Sequence, residues 1–262
     1  MEEFLSLPQR TKKPRQNGLT HILDKGLGPN AVHDLLNTAA DYIDIVKLGW
    51  GTGYVTANLS KKIHTYHIHG TMVCLGGTLM EVAIAQGQFD ALRKWFTDLR
   101  LHYVEVSNGI TDLTQAEKGH YIRELSKDFT VLSEVGKKDP RVVFSPREWV
   151  EMIEQDLSAG AWKVITEARE SGTIGIYNPD WSVREDLVAE ITARIPSDRL
   201  LFEAPRKSQQ VWLIKHFGPN VNLGNIPAHE VVALETLRLG LRGDTAELSL
   251  GSLAAMPKKE RR

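Results

Sequence analysis

A chain of 262 residues with 42% hydrophobic and 25% charged positions has enough apolar material for a packed core, which excludes an intrinsically disordered chain. Its formal net charge of −1 excludes the basic field that holds a nucleic-acid backbone at physiological salt. The lone cysteine, Cys74, excludes a disulfide framework or a thiolate metal site and suits a reducing, cytoplasmic setting.

Short β-rich runs alternate with longer amphipathic stretches along the chain. The opening MEEFLSLPQR has no apolar core, so no secretory signal is expected. Residues 19–23 read as a first strand and 29–40 as a helix beginning at Pro29. Strand 43–48 follows, then a weak helix at 59–68 and strand 71–75, where Cys74 is an inert strand residue. Residues 79–100 are helical with a break near Gly87 and lead to strand 103–106. Helix 113–127 precedes strand 129–134. Ser145, Pro146 and Glu148 form a capping-box pattern, which predicts a helix leading to strand 162–166. Helix 182–194, strand 200–202, helix 208–217, strand 220–223 and helix 229–239 complete the series. Strands alternating with helices imply parallel pairing through right-handed crossovers. Eight such units in roughly 250 residues predict a single-domain α/β (β/α)8 TIM barrel. One domain then spans residues 1–262, with the barrel proper at about 19–245 and a charged, frayed tail at 256–262. No run approaches the ~18 consecutive apolar residues of a membrane span.

In this fold the active site lies at the C-terminal ends of the strands. Almost every predicted strand here ends in a charged group followed by glycine, proline or a small residue. Parity places Ile43, Ile45 and Lys47 on one face, Tyr103, Glu105 and Ser107 on another, and Ile165, Glu167 and Arg169 on a third. Glu105, Glu134, Glu167 and Glu203 would ring the mouth. Converging carboxylates repel unless a cation or a proton intervenes, and a hard divalent ion, most naturally Mg²⁺, is the expected cofactor. Lys25, Lys47, Lys137 and Arg169 supply the opposite charge. The loops after strands seven and eight, with Lys207 and with Gly224, Asn225 and Ile226, are expected to grip a phosphate. The stretch from His64 to His69 fits no compact zinc spacing, and a polar helix end accounts for it. The run Gly49, Trp50, Gly51, Thr52, Gly53 has neither P-loop nor dinucleotide spacing.

Several segments are similar to the phosphosulfolactate synthase family of coenzyme M biosynthesis. They include LDKGLG at 23–28, VKLGWGT at 46–52, GGTLME at 76–81, VLSEVGKKDP at 131–140, EARESG at 167–172, FEAP at 202–205, NVNLGNI at 220–226 and LETLRLGLRGDT at 234–245. The resemblance implies a carbon–sulfur lyase that adds sulfite to phosphoenolpyruvate with Mg²⁺ assistance. On that reading Lys137 is the general acid, Lys47 the alternative acid or a sulfite-binding cation, Lys25 a steering charge, and Arg169 a bidentate clamp. The family also resembles a plant heat-stress-associated protein. A non-catalytic, partner-binding protein would show a broken charge ring, whereas this ring is complete. Another nucleophile or another phosphorylated enol would suit the same residues. The expected partners are small anions, with no nucleic acid and no membrane. The apolar helix at 229–239 is a candidate face for a homo-oligomer.

Overall fold

A computed structural model of the chain describes residues 4–139 and 141–254; the tail at 256–262 lies outside them. Eight strands form one closed parallel barrel in chain order. They are β1 (Thr20–Leu23), β2 (Ile45–Lys47), β3 (Met72–Gly76), β4 (Tyr103–Val106), β5 (Thr130–Val135), β6 (Lys163–Thr166), β7 (Leu200–Glu203) and β8 (Leu223–Pro227). Closure comes from β1, which pairs with both β2 and β8. The expected (β/α)8 fold is therefore the observed one.

The helices are α1 (Pro29–Ala39), α2 (Thr52–Val55), α3 (Leu59–Ile68), α4 (Thr78–Ala85), α5 (Phe89–Asp98), α6 (Gln115–Leu125), α7 (Pro146–Ala159), α8 (Glu185–Arg194), α9 (Lys207–Phe217), α10 (Val231–Arg238) and α11 (Glu247–Ala254). The capping box at Ser145 and Glu148 forms with both hydrogen bonds in place, and Pro146 opens α7. Thr114 and Glu117 build a second box that starts α6 two residues into the stretch expected to be helical. Each cap satisfies otherwise orphaned N–H groups and is worth about 1 kcal/mol. The break between α4 and α5 falls at Gly87, with φ 67. None of the described helices is long and apolar enough to cross a membrane.

Two apolar layers hold the barrel. Ile45, Cys74, Leu132, Ile165 and Leu201 pack together inside it. Alternate strand residues, among them Ile22, Val46, Val73, Val104, Val131 and Val164, pack outward against the helices. The period of two along each strand makes both layers from one sequence. Ile43 joins the outer layer, because β2 starts only at Ile45. Ser107 lies past the end of β4 and donates to Glu81, so neither residue takes the inward aim of Ile45, which parity alone left open. The apolar face of α10 is spent within the same chain, with Val231, Leu234 and Leu237 buried.

The largest departure is β8. It was expected at 220–223 but runs Leu223–Pro227. Asn220 and Asn222 instead use their side chains as fasteners at the barrel floor. Asn222 accepts from Leu19 N and donates to Leu200 O. The glycine, asparagine and proline that follow discourage a strand locally, but pairing with β1 and β7 overrides that preference.

Candidate active site

The interior layer changes character one pleat above the apolar floor. Ile45 gives way to Lys47 on β2, Leu132 to Glu134 on β5, Ile165 to Glu167 after β6, and Leu201 to Glu203 on β7. On β4 the corresponding residue is Glu105, beside Gly76 at the end of β3. These side chains line a cavity of about 370 Å³ with Leu23, Trp50, Thr78, Lys138, Arg169, Glu170, Ser171 and Asn225. It opens at the C-terminal ends of the strands.

Two ammonium groups bind the carboxylates into a network. Lys47 Nζ lies 2.8 Å from Glu105 Oε2 and 3.4 Å from Glu134 Oε2. Lys138 Nζ lies 2.6 Å from Glu134 Oε1 and 3.1 Å from Glu167 Oε2. All four glutamates are buried, none more than 2% exposed. Glu134, Glu167 and Glu203 each offer an oxygen, and these three atoms lie within 4.8 Å of one another. Glu105 stands outside that trio, against Lys47. Of the four glutamates expected around a divalent ion at the mouth, three converge.

Burial raises every carboxyl here, and the neighbours decide the outcome. Glu134 escapes, since Lys138 and Lys47 outweigh its burial and hold it well below the usual range. Glu167 is pushed up to about 7 by burial and by the Glu134 charge, against the pull of Lys138. Burial and the charge of Glu167 push Glu203 well above the ordinary value. Glu105 is also raised by burial, with Lys47 opposing. Lys47 and Lys138 stay charged because their carboxylate partners outweigh burial.

Lys137 is a correction. Its ammonium donates to the backbone oxygens of Asn108 and Thr111 at 2.6 and 2.7 Å, so it braces the β4–α6 loop and does not reach the cavity. Gly136, at φ 129, turns the chain after β5. Lys138 therefore lies back over Glu134. The spacing of four between Glu134 and Lys138 was visible, but nothing local distinguished the two adjacent lysines.

Lys25 stands at the rim, paired with Glu170 and 5.1 Å from the centre of the Trp50 ring. Arg169 lines the cavity in a left-handed conformation, φ 56, with its N–H donating to Glu167 Oε1 at 2.6 Å. Lys207 is paired with Asp244 at 2.9 Å and lines an adjacent cleft of about 340 Å³ with Lys25, Arg206 and Asn225. Gly224 and Ile226 do not face that cleft. Gly224 sits in the β-ladder against Leu201 and His21, and Ile226 packs into the outer core. Asn225 lines both cavities. Between Thr20 and Ile22 the partner on β8 moves from Leu223 to Ile226, one residue too many. Asn225, at φ 53, absorbs the extra residue, so this bulge re-aims it.

Buried carboxylates that the charge-ring reading left out hold the loops. Glu81 accepts from the N–H groups of Gly109, Ile110 and Thr111 at 2.8 to 3.0 Å. Asp24 accepts from Gly26 and Leu27 N–H and from Tyr66 Oη, and pairs with Lys62 at 2.7 Å. Cys74 is buried, and burial pushes its thiol well up, as an inert strand residue requires.

The sequence matches the family described as (2R)-phospho-3-sulfolactate synthase (ComA) over residues 8–244. It is 47% identical over 249 residues to the phosphosulfolactate synthase of Bacillus subtilis (strain 168), covering 94% of this chain and 99% of that one. With the phosphosulfolactate synthase of Methanothermobacter thermautotrophicus the identity is 44% over 249 residues, covering 93% and 96%. A solved 3-hexulose-6-phosphate synthase superposes with a TM-score of 0.51 at 15% identity over 91% of this chain and 100% of that one, a likeness of fold alone. With a charged cavity at the strand ends and this identity along nearly its whole length, the chain is an enzyme that belongs to the phosphosulfolactate synthase family.

Proposed function

We propose that the protein adds sulfite to phosphoenolpyruvate to give phosphosulfolactate, with Mg²⁺ held at the carboxylate trio. The observation that carries this reading is the convergence of Glu134, Glu167 and Glu203 beside Lys47, Lys138 and Arg169 in one cavity. Family membership supports it. One oxygen each of Glu134, Glu167 and Glu203 lie within 4.8 Å of one another, so these three residues would hold the ion, and a hard divalent cation would offset their mutual repulsion. The oxygen-only donor set also suits Mg²⁺ better than a softer metal. When bound, the ion supplies positive charge where the substrate carboxylate gains electrons.

The sulfur lone pair of sulfite attacks the methylene carbon of the enol phosphate. The C–S bond forms as the carbon–carbon π bond breaks, and that electron pair moves onto C2 and the carboxylate as an aci-carboxylate dianion. A proton delivered to C2 completes the addition. Lys138, whose ammonium faces the cavity, is the donor in place of Lys137, and Lys47 is the second candidate. Arg169 clamps a carboxylate or phosphate through paired hydrogen bonds. Lys25 and Lys207, flanking Asn225 in the adjacent cleft, attract the phosphate and sulfite. These cations favour charge that grows in the transition state, which is where stabilisation raises the rate.

The test is phosphorus NMR of purified protein with sulfite and phosphoenolpyruvate. Product should form, cease on chelation and return with Mg²⁺. Lys138→Met should lower turnover by about 10²-fold or more, while Lys137→Ala stays near wild type. Absence of product with Mg²⁺ present sinks the reading; the reverse order of the two lysines sinks the assignment of the acid.

A further inference from the structure

We propose that His21 is a positioning residue of the active site, holding the bulge at Asn225 through Nδ1 so that the Asn225 carboxamide is presented to the anionic substrate. His21 lies on β1 in register with Ile45, in the barrel layer beneath the charged ring. That layer is otherwise built from Ile45, Cys74, Leu132, Ile165 and Leu201, and a fully buried imidazole there calls for a reason. A buried polar group is normally paired, since leaving it unpaired is costly.

The pairing is specific. The Asn225 backbone N–H donates to His21 Nδ1 at 3.4 Å. Nδ1 accepts, so the ring proton belongs on Nε2, which has no partner among the described residues. Burial, helped by the nearby Lys47 charge, lowers the imidazole to about 3, so the ring is neutral and carries one N–H. Gly224 makes the approach possible. A Cβ there would stand 2.3 Å from Leu201 Cδ2 and 3.3 Å from His21 Nδ1.

The consequence falls on Asn225. It is not a glycine, yet it holds φ 53 at the point where the β1–β8 register slips. Asparagine enters the left-handed region more readily than other non-glycine residues, but the conformation still has to be held by its surroundings. The ladder and the His21 bond hold it jointly. Asn225 then lines both cavities, and its Oδ1 is buried with no hydrogen-bond partner among the described residues. No described hydrogen bond ties up that oxygen, which leaves the amide available to a bound anion.

This assignment rests on the proposed substrate for its kinetic arm, but its spectroscopic arm is independent of it. In ¹⁵N-labelled full-length protein at neutral pH, long-range nitrogen–proton correlations should show His21 as the Nε2–H tautomer. The Nδ1–H tautomer overturns the proposal even if the chain turns over no phosphoenolpyruvate. In kinetics, His21→Ala should raise KM for phosphoenolpyruvate about tenfold with kcat within about threefold. His21→Asn, whose Oδ1 can stand where Nδ1 stood, should recover KM to within about threefold. In an Asn225→Ala background the His21→Ala change should add no further loss. A His21→Asn variant as impaired as His21→Ala, or losses that simply multiply with Asn225→Ala, overturn the positioning role.

Discussion

Glu167 is a buried carboxyl whose proton is nearly balanced at neutral pH. Burial and the Glu134 charge raise it from 4.5 to about 7. The folded chain therefore binds a proton there that the unfolded chain has already released. In the metal-free protein this group's contribution to stability is complete below about pH 4.5 and is lost as the pH climbs through about 7. The linkage is worth at most about 3 kcal/mol. Urea midpoints measured across that window should fall with rising pH more steeply in wild type than in Glu167→Gln; parallel slopes would remove Glu167 as the cause. At this scale the sequence was half legible. Glu134, Glu167 and Glu203 each follow an apolar strand residue by two, so inward aim could be read from the period. Which of Lys137 and Lys138 faces the cavity could not, because Gly136 reverses the backbone between the strand and the lysines.

At the scale of elements, the ends of strands decide the site. Gly76 and Gly77 close β3 with φ 136 and 58. A Cβ on Gly76 would stand 2.1 Å from Glu105 O, and one on Gly77 2.4 Å from Glu105 Oε1. The paired glycines are thus the space into which Glu105 fits. Gly76→Ala should lower stability by several kcal/mol and reduce activity with it. Gly28→Ala, at a helix start with open space around it, should cost about 1 kcal/mol or less. Thermal melts of the two variants compare them directly, and an unperturbed Gly76→Ala protein would sink the packing argument. The β5 strand is braced from behind. Lys118 is fully buried and donates to Glu134 O and to Asp156 Oδ2, both at 2.6 Å. That fixes the backbone of the central glutamate from a helix that composition alone marked only as amphipathic. The displacement of β8 belongs here too. Its residues favour turns, and only the neighbouring strands make them a strand.

For the whole molecule, gathering four buried carboxylates at one end of the barrel opposes folding, and Lys47 and Lys138 offset only part of that cost. A cation that binds the folded state alone stabilises it by mass action, by about 2.7 kcal/mol at a hundred times its Kd. For a chain of this size that corresponds to a rise in Tm of about 5 to 10 °C. Mg²⁺ titrated into metal-free protein should raise Tm by this order, and Glu134→Gln or Glu203→Gln should abolish the rise. A wild-type Tm indifferent to millimolar Mg²⁺ would argue against the carboxylate trio as its site.

The sequence by itself determined the order of eight strand and helix units, hence the barrel, because hydrophobic period and helix caps are local properties. It also determined that acids and cations end the strands, since a closed parallel barrel carries its strand ends to one rim. Only the tertiary structure decided which charges meet. Lys138 rather than Lys137 follows from the turn at Gly136, Asn225 rather than Gly224 or Ile226 from the β8 bulge, and three converging glutamates rather than four from the pairing of Glu105 with Lys47 across the barrel. A reversal of one residue changes the face that a side chain occupies, and the contacts that stabilise it come from strands distant in sequence.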